Sequence, residues 1–311
     1  MITLKKYQAS DKMIWNNFIN SSRVNTFLFQ RDFIEYHSDR FEDFSIMIYR
    51  KNKLEAVLPG NTKEGSFYSH QGLTYGGLVT STKLTATDVL TIFHELSIFL
   101  QESEIKEVYY KAIPLIYQKQ PMQEDIYALY RLKATKISCT LSSTIFKEYK
   151  IPFIESRKSG IRKARNAGVT IKLSNDFSSF WEILDYNLSN NYGVKPVHTL
   201  EEITKLKNLF PDNIVLVSST LNEKIIAGTV LFLMNNLIHV QYISANEEGK
   251  QIGAIDLMFD EIINNLFPAI SIIDFGHSNE DSGNYLNEQL IFQKEGFGGR
   301  GVVYEIFHYK L

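Results

Sequence analysis

Residues 237–278 constrain the fold of this chain more than any other stretch. Residues 237–244 are rich in β-branched and aromatic side chains, which predicts a strand. A polar loop with Gly249 and Gly253 follows, and apolar residues then recur at helical spacing until Pro268. Residues 270–275 form a short apolar run that is typical of a buried strand. Strand, glycine loop, helix and strand in this order predict a crossover between two parallel strands.

A crossover of this kind leaves backbone N–H groups exposed at the start of its helix, where phosphate or another anion can bind. The two strand ends also carry polar side chains that the fold brings to the same place. These side chains are those of His239, Gln241, Tyr242, Ser244, Asp274 and Ser278. We therefore expect the working site of the protein at this end of the two strands.

Composition indicates a soluble globular protein of two domains. The chain has 311 residues, of which 44% are apolar and 22% charged. No apolar run reaches the roughly 18 residues of a membrane span, and the N-terminus lacks the apolar core of a signal peptide. Cys139 is the one cysteine, which excludes an internal disulfide. We expect a cytoplasmic protein, and the net charge of −2 gives no global basic field for DNA.

The two halves of the sequence show the same order of predicted elements, namely a hairpin, a third strand, a glycine-containing loop, a helix and a parallel strand. In the first half the predicted strands and helix are 44–49, 54–59, 66–75, the helix capped at 85–88, and 108–113. In the second half they are 214–217, 225–233, 237–244, 254–266 and 270–275. KLEAVLPG aligns with KIIAGTVL, and His70 and His239 fall at comparable positions. The pattern predicts two similar α/β domains with mixed sheets, residues 1–148 and 149–311.

The segment that joins the two domains is basic. Its cations are Arg157, Lys158, Arg162, Lys163 and Arg165. Two interpretations remain open: a surface helix with solvated charges, or a site that recognises phosphate on a sugar carrier or a tRNA end. Further on, Thr199 and Glu202 have the spacing of a capping box and predict the start of another helix.

An antiparallel hairpin leading into a parallel crossover resembles the GNAT acyltransferase fold, and two such domains in tandem resemble the Fem family of peptidoglycan aminoacyltransferases. SRKSGIRKARNAGV is similar to the basic helix that opens the second Fem-type domain. GAIDLMFDEII and IIDFGHS, followed by LIFQKEGFGG, resemble the C-terminal half of the BioF2-like acetyltransferase branch. The resemblance implies two tandem GNAT-like domains. It also implies an N-acyltransferase that acts in bacterial surface-polysaccharide biosynthesis and uses acyl-CoA, such as acetyl-CoA, to acylate an amino sugar on a nucleotide or lipid carrier.

The sequence departs from the GNAT pattern at one place. Enzymes of that superfamily that use acetyl-CoA commonly carry Q/R-x-x-G-x-G/A before the central helix, whereas this chain has KQIGAI at 250–255. The isoleucine at the last position would crowd a closely bound pyrophosphate. An aminoacyl-tRNA donor with a peptidoglycan-precursor acceptor is therefore a second hypothesis, although the sequence has no long heptad segment for a coiled-coil arm. A binding protein that kept the fold without catalysis is a third.

Acyl transfer to an amine requires a base for the amine, donors for the oxyanion and a proton for the leaving group. We assign His239 as the base, since histidine titrates near neutral pH, Asp274 as the residue that orients the amine or a sugar hydroxyl, and Tyr285 as the proton donor. The donor-binding residues predicted here are Tyr242, Ser244, Lys250, Gly253 and Ala254. The acceptor-binding residues are His70, Tyr75, Gln241, Ser278, Asn287 and Lys294. No clustered set of three or four ligands indicates a metal.

Each assignment has a structural alternative. His239 can be a strand residue that only forms hydrogen bonds, and Asp274 can cap a turn. Tyr285 can be a packing residue, Lys294 a solvated lysine and Asn287 a turn residue. The burial and the hydrogen-bond partners of each side chain in the folded protein distinguish the functional role from the structural one.

Overall fold

The structure, a computed structural model, describes residues 1–24 and 26–311. The chain divides into two compact units. The first unit contains residues 1–140, 279–285 and 303–311, and the second contains residues 141–278 and 286–302. The first unit thus includes two segments from the C-terminal part of the chain.

The fold is mixed α/β. In chain order the strands are β1 (Ile2–Lys6), β2 (Glu42–Asp43), β3 (Ile46–Arg50), β4 (Lys53–Leu58), β5 (Asn61–Lys63), β6 (Ser66–Tyr68), β7 (Val79–Thr80), β8 (Glu107–Lys111), β9 (Thr135–Phe146), β10 (Thr170–Ser174), β11 (Ile214–Leu221), β12 (Lys224–Leu233), β13 (Leu237–Ala245), β14 (Ile272–His277), β15 (Asn279–Glu280), β16 (Tyr285–Leu286) and β17 (Arg300–Lys310). The helices are α1 (Lys12–Ser21), α2 (Arg31–Glu35), α3 (Ala86–Glu102), α4 (Glu124–Arg131), α5 (Glu155–Asn166), α6 (Phe177–Tyr192), α7 (Leu200–Leu209), α8 (Glu247–Ile252), α9 (Ala254–Glu261), which a π-helical turn (Ile262–Leu266) extends, and α10 (Glu288–Glu295).

The first unit pairs its strands in two orders, β1-β3-β4-β7 and β17-β8-β6-β5-β2. β6 and β8 are parallel, with Phe67 opposite Val108. Helix α3 begins at a complete capping box, because Thr85 accepts from the backbone of Asp88 and Asp88 accepts from that of Thr85. A cap of this kind stabilises a helix by about 1 kcal/mol. The apolar face of α3, which includes Phe93, is buried in the core of this unit.

The second unit orders its strands β10-β11-β12-β13-β14-β9, and β13 and β14 are the parallel pair. Helix α9 buries Leu257, Met258 and Phe259 in a core that also contains Ala227 of β12. The next residue, Gly228, points to the opposite face, where a Cβ atom would collide with the ring of Phe180 on α6. The strands are therefore covered by α9 on one face and by α6 on the other.

The structure confirms the predicted crossover, because β13 and β14 are parallel and α9 connects them. It also confirms both capping boxes, Thr85 with Asp88 and Thr199 with Glu202. The predicted strand 66–75 was too long, since β6 ends at Tyr68 and turns follow. The stretch Thr135–Phe146, for which no strand was predicted, forms the twelve-residue strand β9.

The predicted glycine loop is wrong in its conformation. Asn246 accepts a hydrogen bond from the backbone N–H of Gly249 and starts the short helix α8. Gly253 then ends α8 in the left-handed conformation, with φ +78°, and directly precedes α9. Two helices joined by one glycine therefore occupy the place of the loop.

Candidate functional site

A buried histidine–aspartate pair lies at the centre of the second unit. His239 on β13 and Asp274 on β14 are neighbours in the parallel register, and Nδ1 of His239 lies 3.0 Å from Oδ2 of Asp274. The side chain of Asp274 is fully buried and that of His239 is 8% exposed. Because a buried carboxylate needs partners, the pair fixes the orientation of both side chains.

Two hydroxyl groups hold the other carboxylate oxygen. Thr144 donates from Oγ1 to Oδ1 of Asp274 at 2.9 Å, and Ser142 donates to the same oxygen. Both residues come from β9, and both are buried. Sequence analysis missed them because β9 was not predicted. The alternation of hydroxyl and apolar residues in Thr135–Phe146 is the signal that could have found this strand.

The two parallel strands separate beyond this pair. Their pairing covers 237–239 opposite 272–274. The register of β13 against β12 shifts between Val230 and Leu231, which places Gln241 in a bulge. On β14, Gly276 has φ +71° next to a register shift against β9. The separation opens a space at the C-terminal ends of β13 and β14.

We call this space the strand-end cleft, and its volume is about 280 Å³. It is lined by Arg157, Leu184, Asn187, Leu188, Ile243, Ser244, Ala245, Lys250, Ile255, Phe259, Phe275, Leu290, Gln293, Lys294 and Phe297. Three of these described residues are cations and none is acidic. Apolar walls with a few cations suit a ligand that carries both an apolar and an anionic part.

Lys294 is the buried cation of the strand-end cleft. Its Nζ donates to the carbonyl oxygens of Gly276 at 2.9 Å and His277 at 2.8 Å. Burial lowers the pKa of Lys294 to about 8, while the negative charge of Asp274 acts in the opposite direction. The ammonium group of Lys294 therefore loses its proton at a pH that is only slightly above neutral, instead of near its ordinary value of 10.5.

The other two cations of the strand-end cleft have acidic partners outside it. Arg157 donates to Asp256 at 2.6 Å, and burial raises the pKa of that aspartate. Lys250 donates to Glu247 at 2.7 Å and to Asn187 at 3.2 Å, and it is 42% exposed. A bound anion can compete for Lys250, since exposed ion pairs are weak, whereas the Arg157–Asp256 pair is largely buried.

Some predicted site residues meet at the strand-end cleft and others do not line it. Ser244, Lys250 and Lys294 line it, and Asp274 precedes the lining residue Phe275. The hydroxyl of Tyr242 accepts from the backbone N–H of His198 at 3.1 Å and lies 2.6 Å from its Nδ1.

Three further predicted residues lie elsewhere in the second unit. Gln241 is half-buried in the bulge of β13. Asn287 caps α10 by accepting from the N–H of Leu290 at 3.0 Å. Ser278 is buried, and its hydroxyl has no hydrogen-bond partner among the described residues.

Gly253 and Ala254 are in contact with a helix. A Cβ atom on Gly253 would lie 2.6 Å from the carbonyl oxygen of Gly160 on α5, so this glycine permits α5 and α9 to pack closely. Ala254 is fully buried. The residues that precede them, Glu247 and Glu248, are acidic and open α8. A phosphate group is disfavoured next to these carboxylates.

Tyr285, His70 and Tyr75 belong to the first unit. Tyr285 is 57% exposed on β16. The ring of His70 stacks on that of His37 with centroids 5.2 Å apart, and both rings are buried. The hydroxyl of Tyr75 donates to Oγ1 of Thr26 at 2.8 Å, and its ring is also buried.

A second cavity, of about 520 Å³, lies against α5. We call it the basic cleft, and it is lined by Lys150, Pro152, Phe153, Lys158, Ile161, Arg162, Arg165, Asp260 and Asn264. It contains four of the cations in and near the basic segment that the sequence singled out.

The described residues hold neither a cluster of metal ligands nor a helix that could cross a membrane. Across 1–24 and 26–311, no three histidine, cysteine, aspartate or glutamate side chains group closely enough to hold a metal ion. No helix in the same ranges has both the length and the apolar character needed to cross a bilayer.

This chain is similar in fold to solved structures that include FemX and a tandem GNAT protein. FemX matches with a TM-score of 0.67 at 9% identity, over 97% of this chain and 96% of that chain. L-PGS from Bacillus licheniformis matches with a TM-score of 0.61 at 10% identity, over 97% and 92%. A tandem GNAT protein from the clavulanic acid biosynthesis pathway matches with a TM-score of 0.56 at 6% identity, over 100% and 98%. No protein-family model matches the sequence, and no curated protein matches it.

Proposed function

We propose that this protein is an N-acyltransferase and that the transfer takes place in the second unit. The observation that carries the proposal is the position of the His239–Asp274 pair where β13 and β14 separate, beside the cation-lined strand-end cleft. A base with an orienting carboxylate is what amine acylation needs. An acyltransferase activity is also in keeping with solved structures of the same fold.

The proposed reaction forms one amide bond. The amine nitrogen attacks the acyl carbon, and the bond from that carbon to the sulfur or oxygen of the donor breaks. His239 takes the proton of the attacking amine, and Asp274 holds the orientation of its ring through Nδ1. The leaving thiolate or alkoxide receives a proton. The source that we propose for this proton within the second unit is the ammonium of Lys294. Tyr285, which the sequence predicted for this role, belongs to the first unit.

The donor that we propose carries phosphate as well as an acyl group. Both an acyl-CoA and an aminoacyl-tRNA end do so, and the cations Arg157, Lys250 and Lys294 suit either. Acyl-CoA is the donor that the family resemblance implies. The approach of Gly160 to Gly253 and the acidic start of α8 favour the aminoacyl-tRNA donor, because they occupy the place where a helix N-terminus would hold the pyrophosphate.

The acceptor that we propose is an amino sugar on a nucleotide or lipid carrier, in the synthesis of a bacterial surface polysaccharide. A peptidoglycan precursor is the acceptor of the alternative aminoacyl-tRNA reaction. Both proposals come from the family resemblance. The cytoplasmic location that we also propose rests on the composition of the sequence.

A transfer assay with two donors tests the proposal. The full chain is incubated with amino-sugar acceptors and either radiolabelled acetyl-CoA or an aminoacylated tRNA, and the amide product is measured. We expect product with one donor and a loss of about a hundredfold or more in His239→Ala. His94→Ala is the matched control, because His94 is an exposed residue of α3. Equal activity of His239→Ala and the wild type would remove the base assignment. No product and no binding with either donor would favour the non-catalytic alternative.

A further inference from the structure

We propose that the basic cleft is a second ligand site, separate from the strand-end cleft, which binds a small phosphate ester with an apolar or planar body, of the nucleoside diphosphate class. The proposed transfer reaction does not use this cavity. The inference therefore goes beyond the proposed function and does not depend on it.

Helix α5 presents different residues to the two cavities. Lys158, Arg162 and Arg165 follow the spacing of one helical face and line the basic cleft. Gly160 packs against α9, and Arg157 lines the strand-end cleft. The charges of α5 are thus divided between two cavities, and most of them face the basic cleft.

The cations of the basic cleft exceed its carboxylates. Four lining residues are cationic and one, Asp260, is acidic, and Arg165 pairs with Asp260 at 2.7 Å. The Nζ of Lys150 donates to the neutral side chain of Asn264. An anion that enters the cleft therefore meets charges that the lining itself does not neutralise.

Among the cations of the basic cleft, Lys158 and Arg162 share one acidic partner. Arg162 pairs with Glu155 at 2.7 Å, and Lys158 lies 3.9 Å from the same carboxylate, which is 72% exposed. Exposed pairs of this kind contribute little stability and can exchange partners. Both cations are therefore available to phosphate oxygens, and the guanidinium of Arg162 can bind two of them at once.

The floor of the basic cleft is apolar. It contains Pro152, Phe153 and Ile161, and the latter two also belong to the core of the second unit. Lys150 lies over the Phe153 ring, 5.7 Å from its centroid. A cavity of about 520 Å³ has the size of small-molecule sites. An apolar floor below a cationic rim fits a nucleobase with its diphosphate, whereas the phosphates of a nucleic-acid helix would remain outside the cavity.

Isothermal titration calorimetry with the full chain tests this site. The probes are UDP, uridine and inorganic pyrophosphate, without any acyl donor or acceptor. We expect UDP to bind about tenfold or more tightly than either fragment, because it uses both the rim and the floor. Its affinity should fall as salt is added. Absence of UDP binding at millimolar concentration would overturn the proposal, as would equal affinity for UDP and pyrophosphate.

Substitutions in the two clefts show which of them binds UDP. The double variant Lys158→Gln and Arg162→Gln should weaken UDP binding about tenfold or more. Lys163→Gln is the matched control on the same helix, because its Nζ donates to the carbonyl of Gln251 and it does not line the cleft. Lys250→Gln tests the strand-end cleft. UDP binding that is lost in Lys250→Gln and kept in the α5 variant, or lost equally in Lys163→Gln, would contradict the proposal.

Discussion

Nδ1 of His239 lies 3.0 Å from a carboxylate oxygen of Asp274, between adjacent residues of two parallel strands. The parallel pair of the first unit, β6 and β8, has Tyr68 and Tyr109 at the equivalent register position. Their rings stack at 4.7 Å with an interplanar angle of 8°. By this register the counterpart of His239 is Tyr68, and His70 lies two residues beyond it. At this position, therefore, the second unit has a histidine–carboxylate pair where the first unit has two stacked tyrosines.

Asp274→Asn should reduce both acyl transfer and stability. The amide cannot orient His239 as the carboxylate does, and it weakens the charge-assisted bonds from Ser142 and Thr144. We expect the turnover number to fall by about two orders of magnitude or more, and the free energy of unfolding to fall by about 3 kcal/mol. Transfer kinetics and urea unfolding measure the two effects.

Thr144→Val separates the effect of Asp274→Asn on acyl transfer from its effect on stability. It removes one hydroxyl from Asp274 and leaves the bond to His239 in place. We expect a loss of about 1–2 kcal/mol in the free energy of unfolding, with most of the turnover retained. Asp274→Asn with unchanged turnover would show that the pair only stabilises the fold.

The sequence was sufficient to predict the elements whose signals are local. The capping boxes at Thr85 and Thr199 involve residues three apart, and the parallel strands β13 and β14 are short runs rich in apolar and β-branched residues. The assignment of His239 and Asp274 to one place followed from the crossover alone. These predictions did not require knowledge of distant contacts.

Other parts of the site depended on contacts that a single sequence does not display. Gly253 suggested a phosphate loop, yet it is required by the backbone of Gly160, which lies 93 positions earlier in the sequence. Asn246 followed by two glutamates is a local signal for the start of α8, and the two glycines obscured it. Ser142 and Thr144 reach Asp274 from a strand more than 125 residues away, which no local pattern indicates.

Gly253→Ala should destabilise the protein through the contact between α5 and α9. The added Cβ would lie 2.6 Å from the carbonyl oxygen of Gly160, in a backbone conformation with φ +78°. We expect the free energy of unfolding to fall by about 2–4 kcal/mol, from steric overlap and left-handed strain together. Chemical denaturation of the variant and the wild type measures the difference.

Gly168→Ala is the matched control for that substitution. Gly168 has φ +80°, and a Cβ there would meet no atom of the described residues within 4 Å. Only backbone strain should act here, and the free energy of unfolding should fall by about 1–2 kcal/mol. Equal losses in the two variants would show that the approach of Gly160 contributes nothing.

Acid should destabilise the first unit through His70. Burial and the neighbouring His37 lower the pKa of His70 to about 3 from its ordinary value of 6.5. Below pH 6.5 the imidazole of His70 binds a proton in the unfolded chain but stays neutral in the folded chain. The free energy of unfolding therefore falls as the pH falls. One such histidine costs about 2 kcal/mol between pH 6.5 and pH 4.5.

His70→Asn tests this pH dependence, because asparagine tolerates the left-handed conformation that His70 adopts at φ +64°. Urea unfolding can be followed by the fluorescence of Trp15 in a Trp181→Phe background, since the chain has two tryptophans. The slope of stability against pH between 6.5 and 4.5 should be smaller in His70→Asn than in the exposed control His94→Asn. Identical slopes would contradict the assignment.

The protonation of Lys294 should control the alkaline limb of the pH profile of acyl transfer, that is, the decrease in rate at high pH. Burial lowers its pKa to about 8, so the ammonium form is lost as the pH rises through that value. If this cation supplies a proton or holds the donor, the rate should decrease above about pH 8. Lys294→Gln should lower the rate at pH 7 by about tenfold or more and remove this limb.

Lys111 offers a matched control in the first unit. It is half-buried, it donates to the carbonyls of Gln71 at 3.0 Å and Leu73 at 2.7 Å, and desolvation lowers its pKa to about 8. Lys111→Gln should destabilise the fold about as much as Lys294→Gln, since each substitution disturbs two buried carbonyl groups. It should leave the pH profile of transfer unchanged. If both variants lose activity in proportion to their loss of stability, Lys294 is a structural lysine and the alkaline limb has another origin.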